Sequence, residues 1–361
     1  MVVNGEVVEI KNRHIVDFLS EQAVEYIESQ DGKTPFYLQL NYDSPYTLPP
    51  VNWGPAKNQF YSDYENMEFQ SMPITPVSKE LINDIAGPWD EDKWQKEVAG
   101  VIGPDVNNNL LAAIQMQNDP ESYANLLSQN TLIDEGVGKV LDKLDEMGLA
   151  ENTLVVFSTD QGNAFGQHGH WGHTVHFSPP HLYDVAMKVP FIVRHTGTIE
   201  PGQVTDAMIG QYDVAPTLVN YAGFDVEFEN SPGRSFVPHL LGADTSQWGD
   251  EVYFEQDETR GIRTSEFAYW DRLEGTGEPA LFDMRKDKLQ MTNVYDSPEY
   301  QDVILELDEK LDSFFDQHAD PKYDLWNGGT AKVMMIRPQV FLDTYGEDWS
   351  PIVEINPVFE E

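Results

Sequence analysis

The 361-residue sequence has no cysteine. Disulfides, thiolate metal sites and a cysteine nucleophile are therefore excluded, although the compartment is not fixed by that absence. Basic residues are scarce: 22 Lys and Arg stand against 62 Asp and Glu, a formal net charge of −40 at pH 7. That balance argues against sequence-independent nucleic-acid binding, which depends on cations neutralising phosphates. It disfavours an anionic membrane surface for the same reason. The acid excess reads as a solvated shell that maintains solubility. No apolar run approaches the ~18 residues of a membrane span. Met1 to Ile15 shows neither an apolar h-region nor a small-residue cleavage site, so no secretory signal is expected in this chain. Neither nucleic acid nor membrane is an expected partner.

What is present is enough for a core. Forty per cent of residues are apolar and 12% aromatic, which rules out wholesale disorder despite the charge. The length suits two domains, or one large α/β domain with an appendage. Glu6–Ile10 reads as a short β piece. Ile15, Phe18, Leu19, Ala23 and Ile27 fall on one helical face. Pro35–Tyr42 reads as a buried strand, ended by Asp43-Ser44-Pro45. Residues 43–118 read as long loops with short helices. A helix is expected over Asp134–Met147, with Val137, Val140, Leu141 and Leu144 as its stripe and Gly148 as its stop. Leu154–Ser158 is apolar on both faces, as a central parallel strand would be, and Val189–Arg194 is another strand. Asp213–Ala222 reads as a short helix. After about residue 245 come four β pieces, 252–255, 261–264, 267–270 and 280–283, followed by a helix over 303–315. The expected architecture is α/β: a mainly parallel central sheet flanked by helices over 1–245, then a small antiparallel sheet with one helix and a tail over 246–361.

The densest chemistry lies between Ser158 and Pro190. Asp160 and Gln161 sit past the carboxyl end of a predicted strand, where ligands bind in open α/β sheets. A carboxylate and an amide carbonyl are hard oxygen donors suited to Ca²⁺ or Mg²⁺. Taken alone, Asp160 reads more readily as a turn or helix cap. Five of the nine histidines fall between 168 and 181: His168, His170, His173, His176 and His181. Such a cluster is a metal site, a set of anion and proton-transfer groups, or a loop that tolerates imidazoles. No spacing matches a zinc helix. Tyr46, in Ser44-Pro45-Tyr46, can donate a hydrogen bond to an anionic substrate or simply pack in a rigid turn.

The run Gly148–Gly162, ending Ser158-Thr159-Asp160-Gln161-Gly162, resembles the second half of type I sulfatases of the alkaline phosphatase superfamily. His168-Gly169-His170-Trp171-Gly172-His173, Leu182-Tyr183-Asp184, Asp213-Val214-Ala215-Pro216-Thr217-Leu218, Gly233-Arg234-Ser235-Phe236 and Arg263-Thr264 continue the resemblance in order. Upstream, Pro35–Leu38 and Ser44–Tyr46 also fit. The resemblance implies hydrolysis of sulfate esters, most commonly carbohydrate sulfates, by a Ca²⁺-assisted formylglycine mechanism. It places Asp160 and Gln161 as metal ligands, His173 where the family has a sulfate-contacting lysine, and Tyr46 where it has a histidine assisting the leaving group. His168 and His170 are the accompanying substrate-binding candidates. The early metal aspartates and the C/S-x-P/A-x-R motif that yields formylglycine have no counterpart here; Ser71-Met72-Pro73-Ile74-Thr75 ends in Thr instead of Arg. The chain is thus expected to be the carboxy-terminal portion of a sulfatase, truncated or half of a split enzyme, whose partner chain carries the amino-terminal half. Family members are usually periplasmic or secreted. A non-catalytic protein binding a sulfated glycan or small molecule, and a phosphodiester or phosphonate hydrolase of the same superfamily, are the alternatives.

Overall fold

The computed structural model describes residues 2–3, 5–7, 10, 13–45, 58–72, 119–174, 179–229, 231–330 and 338–349. The chain falls into two compact units, residues 1–176 with 189–201, and residues 177–188 with 202–361. The change of texture near residue 245 marks the start of a sheet inside the second unit.

In the first unit, β1 (Val2–Val3) and β2 (Glu6–Val7) form a small antiparallel hairpin. The helix α1 (Ile15–Glu28) starts at His14, whose Nδ1 accepts the Val16 amide at 3.2 Å. Its buried face carries Val16, Phe18, Ala23 and Ile27, and the last three belong to the stripe read from the sequence. After α2 (Tyr61–Tyr64), the 27-residue helix α3 (Pro120–Glu146) packs against both α1 and α2. This helix begins well before the expected Asp134. Asp119 accepts the Ser122 amide at 2.9 Å and Pro120 occupies the first turn, a strong start signal. Its first half shows no clean apolar stripe because buried polar residues, Ser122, Asn125, Ser128 and Gln129, are interleaved with the buried Tyr123, Ala124 and Leu126. Gly136 lets α1 approach closely, since a Cβ there would collide with the Ser20 hydroxyl.

The strands β3 (Val155–Ser158) and β6 (Phe191–Arg194) pair with each other, bracketing the short hairpin β4 (Ala164–Phe165) and β5 (Trp171–Gly172). The α/β class stands, but this pair runs antiparallel, Val155 opposite Arg194 and Ser158 opposite Phe191, and every ladder among the described residues is antiparallel. A parallel neighbour needs a long crossover, usually a helix. Among the described residues, the 159–190 connection holds only single helical turns and a two-residue hairpin, so the chain returns in the opposite direction. The expected strand 35–42 forms no ladder among the described residues, although its burial alternates residue by residue as a strand's does.

In the second unit come α4 (Asp184–Met187), α5 (Val214–Tyr221), α6 (Val237–Leu240), the strands β7 (Glu251–Gln256), β8 (Thr259–Thr264), β9 (Phe267–Arg272) and β10 (Ala280–Asp283), then α7 (Gln301–His318) and α8 (Pro338–Tyr345). The four strands form one antiparallel sheet in sequence order, as expected. Strand alternation divides its side chains between two cores. Ile262, Phe267, Tyr269 and Leu281 meet Ile304, Leu307, Leu311 and Phe315 of α7. Ala268, Trp270, Ala280 and Phe282 meet Leu182, with Tyr183 and Met187 beside them. The Asp184 carboxylate takes two hydrogen bonds from the Arg263 guanidinium, at 2.9 and 3.1 Å, which fastens α4 to β8. In the tail, Phe341 of α8 and Trp349 beyond it pack with Leu273.

Two of the sequence motifs prove to be one structural knot. Asp213 is buried, and its carboxylate accepts the amides of Gly210 at 2.8 Å and Arg234 at 2.9 Å. Burial raises its pKa, and those two amides oppose the rise. Thr217 donates to the Asp213 carbonyl at 2.6 Å and accepts the Phe236 amide at 2.9 Å. Gly233 is required here, because any Cβ would collide with the Tyr212 carbonyl.

Candidate active site

The site candidates that the structure describes lie in the first unit, around the carboxyl end of β3. Ser158, the last residue of that strand, donates to the Pro190 carbonyl at 3.0 Å and so ties the strand end to the approach of β6. Asp160 and Gln161 follow in an exposed turn, with the Thr159 hydroxyl donating to the Asp160 carboxylate at 3.1 Å. The hairpin β4–β5 then carries the histidines. Its turn closes through the Gly166 amide on the His170 carbonyl at 2.8 Å. Gly166 at φ 102° and His168 at φ 55° are both left-handed, and for a histidine that conformation is uncommon. Tightness of the turn is what forces it: two residues of strand on each side leave five residues to reverse the chain.

An aromatic anchor holds this hairpin. Tyr123 of α3 donates to the Phe165 carbonyl at 3.2 Å, and its ring lies 5.5 Å from that of the buried Trp171. Phe165 meets Trp171 edge to face at 5.4 Å. The sequence reading missed Tyr123, since it lies in the half of α3 that had no apolar stripe. The Gly-rich spacing around Trp171 was the available signal that a close-packed turn was being built.

The structure brings His173 within electrostatic reach of Asp160. Burial lowers the His173 pKa, and the Asp160 charge partly opposes that. His168 and His170 are likewise coupled: burial first, then the proximity of His168, lowers His170 to about 4. His170 and His173 are therefore neutral at pH 7. His181 belongs to the second unit, where it is buried with Nδ1 accepting the Tyr183 amide at 3.4 Å. Tyr46 and His176 lie outside the described residues.

The expected Ca²⁺ ligands supply two oxygen-bearing side chains, whereas Ca²⁺ takes six to eight oxygens. Among the described residues no cluster of three His, Cys, Asp or Glu side chains could hold a metal ion. The described donor set thus does not make a Ca²⁺ site by itself. Among the same residues no helix is long and apolar enough to cross a membrane.

This α/β frame is shared by solved structures. At 21% identity and a TM-score of 0.64, the chain resembles a protein solved in complex with its substrate D-glucosamine-2-N,6-O-disulfate, covering 89% of this chain and 73% of that one. It also resembles the phosphonate monoester hydrolase of Agrobacterium radiobacter, at 20% identity and TM-score 0.63, over 85% of this chain and 62% of that one. The sulfatase family model matches residues 6–224, and the C-terminal model of N-sulphoglucosamine sulphohydrolase matches residues 169–317. The chain belongs to the sulfatase family. Among curated relatives, the N-acetylglucosamine-6-O-sulfatase of Bacteroides thetaiotaomicron is 22% identical over 90% of this chain, and the arylsulfatase of Clostridium perfringens 26% identical over 81%. The chain spans 66% and 56% of their lengths respectively.

Proposed function

We propose that the chain supplies one wall of the active site of a sulfate-ester hydrolase acting on carbohydrate sulfates. The observation that carries this reading is the Asp160–Gln161 turn at the end of β3 with His173 facing it electrostatically. The names of the relatives favour a carbohydrate sulfate over an aryl sulfate. In this reading Asp160 and Gln161 contribute oxygens toward a Ca²⁺ ion whose remaining ligands come from outside the described residues. His173 and His170, being neutral, each offer a hydrogen bond or take up a proton, and neither offers a fixed positive charge to sulfate. The resemblance gives Tyr46 the family's leaving-group role, in which a phenol of reference pKa ~10 donates a hydrogen bond more readily than a proton. His168 and His170 line the substrate approach. This sequence holds no cysteine and no C/S-x-P/A-x-R motif. In this reading the nucleophile comes from outside these 361 residues, and these residues by themselves are expected to be inactive. Periplasmic or secreted placement follows from the same reading.

The test is sulfate release from N-acetylglucosamine 6-sulfate by this chain assembled with a polypeptide carrying the nucleophile motif. Asp160→Ala is expected to lower that release by at least ~100-fold. Equal release by the variant overturns the reading. Release of phosphonate from a phosphonate monoester, with none of sulfate, would move the assignment to the second reading that the Agrobacterium radiobacter neighbour supports.

A further inference from the structure

The hairpin that carries His168 and His170 has two rungs, Ala164 opposite Gly172 and Phe165 opposite Trp171. A hairpin of this size is marginal by itself in water, so its shape depends on what packs on it. One side chain of α3 reaches both members of the rung next to the turn. Tyr123, 3% exposed, donates from its hydroxyl to the Phe165 carbonyl at 3.2 Å. Its ring lies 5.5 Å from that of Trp171, which is 2% exposed. Phe69 lies 5.6 Å from the Tyr123 ring, and Met72 packs on the same cluster. The Phe165 amide is taken by the Gln167 side chain at 2.5 Å. The last strand residue before the turn is thus held through both its backbone groups.

Tyr123 is itself fixed by the start of its helix. Its amide donates to the Asp119 carbonyl at 3.2 Å, and the Asp119 carboxylate takes the amide and the hydroxyl of Ser122 at 2.9 and 2.7 Å. A residue locked in a capped first turn is a rigid support, and sites keep their geometry through such supports. What the hairpin presents is His170, directly before Trp171 in the chain. Burial first, then the neighbouring His168, lower its pKa. Asp160, at the end of β3, acts on His173.

We infer that Tyr123 is a positioning residue of the candidate site: its hydroxyl and ring hold the β4–β5 hairpin where His170 is buried beside His168. The inference deepens the sulfate-ester hydrolase reading and rests on it for the use made of His170, a neutral imidazole that offers a hydrogen bond or takes up a proton. Tyr123 acts through the hairpin and touches no reacting atom. A phenol suits the place because one side chain supplies both an apolar ring for Trp171 and a donor for the carbonyl.

The test is an NMR titration of the histidine imidazoles in the 361-residue chain between pH 8 and pH 4, with the His170 signal identified by its loss in His170→Gln. Tyr123→Phe keeps the ring and removes the donor; Tyr123→Leu removes the aromatic ring as well. In the wild type His170 stays neutral until close to pH 4. Its midpoint is expected to rise by at least ~0.5 unit in Tyr123→Phe and to approach ~6.5, the value of an imidazole in water, in Tyr123→Leu. Tyr64→Phe is the control: it removes a phenol hydroxyl bonded to Thr131 at 2.7 Å, further along α3, and leaves the His170 midpoint where it is. A merely stabilising role for Tyr123 would lower the melting temperature and move no histidine. An unmoved His170 midpoint in folded Tyr123→Phe overturns the inference, and so does an equal shift in Tyr64→Phe. Should Tyr123→Leu not fold, Tyr123→Phe decides alone. The titration involves no substrate, so a shifted His170 beside absent sulfate release sinks the hydrolase reading and leaves the positioning intact.

Discussion

In the sheet β7–β10 both faces are covered; in the pair β3–β6 large apolar side chains stay in water. Leu281 on β10 is fully buried, with α7 over its face, while Ala268, Trp270 and Phe282 are closed over on the other face by Leu182 and Tyr183. Ile192 on β6 is 61% exposed and Phe157 on β3 37% exposed. The difference is that the wider sheet's covering elements, α7 and the 182–187 segment, are supplied by this chain's own described residues. The candidate site lies at the carboxyl end of β3 and not on the wider sheet.

The sharpest way to break the comparison is a matched pair of truncations. Leu281→Ala removes a side chain packed on both its strand neighbours and α7, and should cost about 2–5 kcal/mol in a denaturant melt followed by the second unit's tryptophans. Ile192→Ala should change the isolated chain's stability by no more than about 0.5 kcal/mol, the range for exposed positions. A large loss at Ile192 would show that β3–β6 is already covered, and the contrast would fall.

A second expectation sharpens the contrast through pH. His170 is held down to about 4 by burial and by His168, against an ordinary value near 6.5. A base with a lowered folded pKa takes its proton first in the unfolded chain. Stability is therefore full above about 6.5 and is lost as pH falls from there toward about 4, by up to about 3 kcal/mol, a shift of one unit being about 1.4 kcal/mol. His170→Gln should flatten that share of the acid loss in melts taken between pH 7 and pH 4. A variant with the wild-type slope would place His170 in water, and with it the hairpin that His168 and Trp171 shape.

The two regions also differ in how far they could be read. The sheet β7–β10 and α7 were legible because each is local: alternating strands joined by short turns, then a helix with Ile304, Leu307 and Leu311 at helical spacing. The Asp160 turn was legible because a strand end and an acidic residue are adjacent in sequence. The direction of β6 was not, since antiparallel or parallel return depends on the path of 159–190. The first half of α3 was hidden by buried Ser122, Asn125, Ser128 and Gln129; Ser128 accepts from Asn58, far away in sequence, and donates to the Asn125 carbonyl, while Ser122 donates to the Asp119 carboxylate. Asp213 and Thr217 carried the family resemblance without disclosing that they knot residues 210–236 together; that role appears only when the amides of Gly210, Arg234 and Phe236 are in place. The coupling of His173 to Asp160 is likewise a product of folding, for the sequence showed a cluster of histidines and no means of choosing among them.

The smallest effect concerns the helix that closes the finished sheet. Asp308, Asp312 and Asp316 recur every four residues along α7, so their carboxylates share one face. Burial first, then Asp308 and Asp316, raise the Asp312 pKa, with Arg260 opposing. An acid whose folded pKa is raised is destabilising while ionised, so its share of stability is gained as pH falls through that pKa. Asp312→Asn removes two like-charge i, i+4 pairs, each worth about 0.2–0.5 kcal/mol at low salt. The variant should melt higher than wild type in dilute buffer at pH 7. The gain should shrink toward zero near 1 M NaCl, where the Debye length falls to about 3 Å. A gain that persists in high salt would mean that the amide improves packing at this position, and that the acidic stripe costs the sheet's cover nothing.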